Sequence, residues 1–253
     1  MTFDPTPEQK VRAAAARGVA VIVAAEAASA EQSCVVPASW LEAVKAASLD
    51  DPFSPDAVSA VLIVEELAVA SAALATVVGL GRLADPSPPS TVAWPGLRGA
   101  ERALGGAAKV TGVAADGARL VLCAVAVGVG RAAVAHAVAA MKQRGVKPGG
   151  DEHTPHWTLA DAATEIDAAR LLTLAAAQKL DQETGAVVSI ALARSFTAMA
   201  AERAVDAAIR VVGPSGYQAG SPLERLSRDA RTLTLVLETV EQSRATAARV
   251  LAP

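Results

Sequence analysis

The chain is poor in aromatic side chains: three Trp, three Phe and one Tyr, 3% of 253 residues. A core built almost without rings must close on Ala, Val and Leu, and hydrophobic residues still make up 52% of the chain. Small side chains of this kind suit long helices that approach closely, Ala and Leu being strong helix formers. Cysteine is scarcer still. Cys34 and Cys123 lie far apart in apolar or mixed stretches, which excludes a disulfide framework and reads as two buried free thiols in a reducing, cytoplasmic setting. There is no excess of positive charge: 23 Lys and Arg stand against 26 Asp and Glu, net -3, so the electrostatic footprint of a nucleic-acid binder is missing. No basic start precedes the first apolar run, which Arg12 and Arg17 interrupt, so no secretory leader is expected. The most apolar segment, Leu120 to Gly130, reaches Arg131 too soon to cross a bilayer and is expected to be part of a buried helix.

What is present is helix punctuation. Thr6-Pro7-Glu8-Gln9 predicts a capping box with Pro at the first helical position, opening a helix to about Ala30. A short helix is predicted from Pro37 to Ala47, and a third, capped by Ser54-Pro55-Asp56, to about Leu83. From Asp85 to Asp116 the chain changes character: Pro and Gly recur at a density that excludes a continuous helix, with short extended pieces at Thr91 to Trp94 and Ala108 to Val113. Helix returns at Arg119 to Arg144, followed by a loop at Lys147-Pro148-Gly149-Gly150. Thr158 is predicted to cap a helix to about Glu183, with its apolar stripe at Leu159, Ala163, Ile166, Ala169, Leu172, Ala176 and Leu180. Two more helices, Ala186 to Val212 and Pro222 to Leu251, complete four long helices joined by short loops, the pattern of an antiparallel bundle. Ser221-Pro222-Leu223-Glu224 reads as a capping box for the last.

The stretch from Arg203 to Arg249 carries the most specific pattern. Gly213, Gly216 and Tyr217 form a turn; Glu224-Arg225-Leu226 and Arg228-Asp229-Ala230-Arg231 follow, then Arg244 and Ala248-Arg249. This order resembles the C-terminal end of the acyl-CoA dehydrogenase family. Val127-Gly128, Ala132-Ala133, Arg144, Leu159-Ala160-Asp161, Ala169-Arg170 and Arg194 also fall where the family would have matching landmarks, and Glu65-Glu66-Leu67-Ala68 resembles its N-terminal helical domain. The resemblance implies an all-α fold: an N-terminal helical domain at 1–84, a linker or β-domain remnant at 85–116, and a C-terminal antiparallel four-helix bundle at 117–253. In the family a β domain fills that middle interval and covers the flavin. About thirty residues are too few for it, given strands of roughly 5–6 residues plus turns.

The family's reaction needs a carboxylate base beside the substrate α carbon and a flavin beside the β carbon. The resemblance puts Leu237 at the usual base position and Ala118 at the alternative one; neither side chain takes a proton. Glu238 is the remaining catalytic candidate. It lies one residue off, roughly 100° around a helix, and is expected to be a solvated surface carboxylate. Arg144, Gly213 and Gly216 are the cofactor-binding candidates, implied to reach the FAD of a neighbouring subunit; Pro214 replaces a Gly there and removes one backbone N–H. For Arg144 the competing expectation is a cation complementing a helix C-terminus. His153-Thr154-Pro155-His156 reads as a surface loop rather than a metal site, Gly128 and Gly130 as points of close helix packing, and His136 as a core or interface histidine.

The chain therefore reads as a non-catalytic or auxiliary subunit that pairs with a complete flavin-dependent acyl-CoA dehydrogenase, FAD being reached only through that partner. Two alternatives stand beside it. One is a shortened FAD-dependent acyl-CoA dehydrogenase using Glu238. The other is a helical homo-oligomer that binds an acyl-CoA without turning it over. No metal, nucleic acid or membrane is expected in any of them.

Overall fold

A computed structural model of the protein describes residues 4–27, 29–30, 36–84, 113–145 and 153–252. They are helical, with no strand among them. In chain order the helices are α1 (Pro7–Ala24), α2 (Ala38–Ala46), α3 (Ala57–Ala70), α4 (Ala72–Ala84), α5 (Val113–Gln143), α6 (His153–Asp181), α7 (Ala186–Val212), a single 3-10 turn (Pro214–Tyr217), α8 (Pro222–Leu233) and α9 (Val240–Leu251). Cys34, the interval from 85 to 112 with its predicted extended pieces, and the loop at 147–150 lie outside the described residues.

α5 is the axle. It packs against α3, α4, α6, α7 and α8, and every side chain from Leu120 to Val127 is at most 1% exposed. A helical stretch surrounded on all sides must be apolar all round, and from Leu120 to Gly130 this one is. By length and composition alone it would also cross a membrane; here it is the core helix of the bundle. α5, α6, α7 and α8 form the antiparallel bundle, and α3 leans on α5 and α6. The close approach of α3 depends on Gly128. A Cβ there would meet the Ala68 Cβ at 2.5 Å and the Glu65 carbonyl oxygen at 2.6 Å. Gly130 does the same for α6, a Cβ meeting Ile166 Cδ1 at 2.1 Å.

The caps decide where helices begin. The Thr6 hydroxyl accepts from the Gln9 amide at 3.2 Å while the Gln9 side chain accepts from the Thr6 amide at 2.9 Å. Asp56 caps α3 by accepting from the Ser59 amide at 2.6 Å. Asp181, at the end of α6, accepts from the next amides of α3, Ala57 at 2.7 Å and Val58 at 3.3 Å. Two carboxylates thus serve one positive helix end.

Several sequence-based boundaries move. α1 ends at Ala24, short of Ala30, and the third predicted helix is split at Ser71, which is extended (φ -153). α5 begins at Val113 rather than Arg119. α6 begins at His153, so Thr158 lies inside it and the His153–His156 stretch is helix, not a loop; Pro155 is tolerated in the first turn, where its missing N–H has no intrahelical partner. Leu172 is 41% exposed, and Thr173 takes its place on the buried stripe. Ser221 caps α8 through the Leu223 amide at 3.3 Å, but Glu224 does not close the box because it turns to Arg228 at 2.7 Å. The largest change is at the end: the predicted helix from Pro222 to Leu251 is two helices, broken at 234–239.

Candidate functional site

The break between α8 and α9 holds one of the two positions at which a base was sought, Leu237, and the remaining candidate, Glu238. α8 ends at Leu233, and α9 starts afresh from Thr239. The Thr239 hydroxyl accepts from the Gln242 amide at 3.3 Å, and the Gln242 side chain accepts from the Thr239 amide at 2.8 Å. That Thr-x-x-Gln box was written in the sequence and outweighs the helical pattern running through it. Between the two helices Leu237 takes a left-handed backbone, φ 69, and its side chain packs on the core. Ala118, on α5 and next to Arg119 in the chain, is 1% exposed. Neither position offers a carboxylate.

Glu238 is not the solvated carboxylate that the sequence predicts. Its side chain is 10% exposed, and Oε2 accepts from Arg119 Nε at 2.9 Å. Oε1 accepts from the Ser243 hydroxyl at 2.6 Å. Arg119 is held from its other side by Asp116 at 2.8 Å. Burial works to lower the Arg119 pKa, but the Glu238 charge and hydrogen bond, with those of Asp116, outweigh it and raise the value. Each oxygen of Glu238 accepts one hydrogen bond, so the carboxylate is held in place by Arg119 and Ser243 rather than left open to water. The physical reason for the miss is the helix break: the 100° rotation that would turn Glu238 outward holds only along a continuous helix.

Beneath the break lies Arg194 of α7, 1% exposed. Its Nη2 donates to the Leu233 carbonyl, the last of α8, and to the Val236 carbonyl at 3.0 Å. These carbonyls are left over where α8 stops, and a cation at that helix end suits its dipole. Burial depresses the Arg194 pKa. Cys123 of α5 sits close by as a buried free thiol, its pKa pushed up to about 11 by burial, with the Arg194 charge opposing. Such a thiol is protonated and inert at neutral pH. Arg119, Cys123, Arg194 and Ser243 were not assembled from the sequence; partners separated by 119 residues along the chain leave no spacing signal.

Arg144 and the glycine turn come together at the other end of the bundle. His136, Gln143 and Arg144 from the end of α5 face Val212, Ser215, Gln218, Gly220 and Ser221 across a polar recess of about 500 Å³. The Arg144 guanidinium donates to the Val211 and Val212 carbonyls at 3.2 and 2.5 Å. It therefore does complement a helix C-terminus, that of α7. Gly213 ends α7 at φ 83, and at Gly216 a Cβ would meet Leu223 and Ile209 only at ordinary contact distance, 3.5–3.6 Å. The amides of Gly213, Gly216, Gln218 and Ser221 all donate to carbonyls of α7 or of the turn itself. A phosphate arriving here would meet one cation and the hydroxyl and amide side chains, while these four amides are already bonded within the chain. The residues fit one edge of a cofactor and not a complete site.

A third cluster ties the two halves of the molecule. Glu65, 1% exposed, accepts from Arg131 at 2.5 Å and from Arg170 at 2.8 Å. Glu66 accepts from Arg17 at 2.8 Å and from Arg131 at 3.3 Å. Burial pushes the Glu66 carboxyl up, but the Arg17 hydrogen bond and the Arg131 and Arg17 charges outweigh it and hold the pKa below the usual range. Four helices, α1, α3, α5 and α6, meet in this network. Among the described residues, no group of three or more His, Cys, Asp or Glu is placed to hold a metal ion.

Residues 106–252 match the family model described as acyl-CoA dehydrogenase, C-terminal domain. Among characterised sequences, the chain is 36% identical over 138 residues to the protein named probable acyl-CoA dehydrogenase YngJ of Bacillus subtilis (strain 168), covering 54% of this chain and 36% of that one. It is 34% identical over 125 residues to 3-(aryl)acrylate reductase of Clostridium sporogenes (strain ATCC 15579), covering 49% and 33%. The chain thus spans about a third of the length of the curated relatives it matches. Among solved structures, butyryl-CoA dehydrogenase from Megasphaera elsdenii aligns with a TM-score of 0.84 at 16% identity over 100% of both chains, a likeness that shows the fold.

Proposed function

The chain belongs to the acyl-CoA dehydrogenase family, and from that membership we propose that it is a non-catalytic, auxiliary subunit that pairs through its C-terminal bundle with a complete flavin-dependent acyl-CoA dehydrogenase. The observation that carries this reading is the state of the base positions. One is a leucine and the other a buried alanine, and the neighbouring carboxylate, Glu238, is engaged by Arg119 and Ser243. With no carboxylate at those two positions, proton removal at an α carbon has no acceptor where the resemblance places the family's base. The helical scaffold around that vacancy is nevertheless packed and capped as a bundle, which is what a subunit valued for its surface requires.

The recess beside Arg144 supports the same reading. It offers one cation, Gln218 and the Ser215 and Ser221 hydroxyls, enough to line an edge of a cofactor held mainly by another subunit. FAD, where bound, supplies the hydride acceptor in this family's chemistry. Arg144 would contribute charge toward its phosphates while keeping its bonds to Val211 and Val212. The test is assembly: the purified chain is mixed with a full-length homologue and the mass of the complex measured by sedimentation or native mass spectrometry. A stable hetero-oligomer is the expected result; two species sedimenting independently at all concentrations reject the proposal.

A further inference from the structure

We propose that α9 is a hinged flap on α7, with 234–239 as its hinge and the Glu238–Arg119 pair as its latch, and that its release uncovers the guanidinium of Arg194.

α9 is weakly held by packing. Over twelve residues it buries only Val240, Ser243 and Ala247. α8, of equal length, buries three leucines as well as Asp229 and Ala230. An isolated helix this short is marginal in water, so the contacts outside its buried face decide whether α9 stays down. They are few: the Arg244 contact to the Met199 sulfur at 3.2 Å, and the Glu238 latch, which the Ser243 hydroxyl of α9 joins at 2.6 Å. Elements with little buried apolar surface are the ones that open locally, ahead of the rest of a domain.

The closed arrangement also carries two costs. Leu237 sits at φ 69, a conformation that side chains with a Cβ rarely adopt. Arg194 is buried with its Nε and Nη1 lacking any hydrogen-bond partner, and an unsatisfied buried donor is unfavourable. The acceptors of Arg194, the Leu233 and Val236 carbonyls, belong to the hinge or border it. When the hinge swings, Arg194 loses the Val236 carbonyl and gains solvent for the N–H groups left unpaired in the closed form. The latch opposes this from outside α9: Arg119 is a residue of α5, fixed there by Asp116. An event at the start of α5 is therefore transmitted to α9 through one ion pair.

Amide hydrogen exchange read by mass spectrometry tests the flap. In the unaltered chain, amides of 240–251 exchange faster than those of 222–233 and 186–212. Arg119→Gln and Glu238→Gln each speed exchange of 240–251 further, on the order of tenfold, and leave 186–212 unchanged. Phenylglyoxal, which adds to exposed guanidinium groups, modifies Arg194 in step with that exchange. Equal exchange of α8 and α9 in the unaltered chain overturns the proposal, and that comparison stands even if a variant fails to fold. So does a uniform rise across α5 to α9 in the variants, or an opened α9 with Arg194 still protected.

Discussion

At the scale of single residues, the molecule depends on charges placed where small side chains leave room for them. Gly128 lets α3 touch α5, and only then can Glu65 reach Arg131 and Arg170. Gly128→Ala gains helix propensity of about 1 kcal/mol but drives a methyl into the Ala68 Cβ and the Glu65 carbonyl. A net loss of about 1–3 kcal/mol in urea unfolding is expected. The pH dependence has two opposed parts. The Glu66 pKa is lowered on folding, so its contribution is present above the unfolded value and is lost as pH falls through the folded one. The Asp181 pKa is raised, burial being the main cause, so the folded state holds that proton to higher pH and stability falls as pH climbs from the aspartate range through the raised value. Thermal melts from pH 3 to 7 should show Glu66→Gln flattening the acid-side loss and Asp181→Asn steepening it. Identical slopes in both variants and the parent would refute this assignment.

At the scale of elements, the sequence announces where helices start better than where they stop. Thr6, Asp56 and Ser221 were legible because an N-cap is local chemistry: an oxygen two or three residues from an amide. Asp56→Ala removes that acceptor and the bond from Gln9, 3.0 Å long. A loss of about 1–2 kcal/mol, read by chemical denaturation, is expected; no loss would mean that Asp181 alone satisfies the start of α3. Gly128 and Gly130 were also legible as packing points, because a glycine inside a helical pattern has few other uses. The breaks at Ser71 and 234–239 were not. Apolar periodicity runs straight through both and masks local caps: the Ser71 hydroxyl accepts from the Leu74 amide at 3.2 Å and Thr239 opens α9, while Arg194 collects the carbonyls at the end of α8 from across the bundle. The burial of Glu238 was hidden for the same reason. Whether a carboxylate meets water is settled by residues more than a hundred positions away.

At the scale of the whole molecule, a family scaffold is kept while the two positions at which the resemblance seeks a base hold Leu237 and Ala118. The caps, the core helix α5 and the network joining α1, α3, α5 and α6 all serve to hold a shape. If that shape exists to complete another subunit, Arg144→Ala should leave folding intact and weaken FAD retention in the hetero-complex, seen as flavin lost on gel filtration. Arg144→Lys should restore part of it, since charge matters more than shape toward a phosphate. The most direct test of the central claim is the visible spectrum of the purified chain, alone and in complex with a full-length homologue, during anaerobic titration with acyl-CoA. The account predicts no flavin bleaching by the chain alone, even after incubation with FAD, and bleaching in the complex. Bleaching by the chain alone would show that it carries its own base and contradict the account, and Glu238 would then be the first residue to replace.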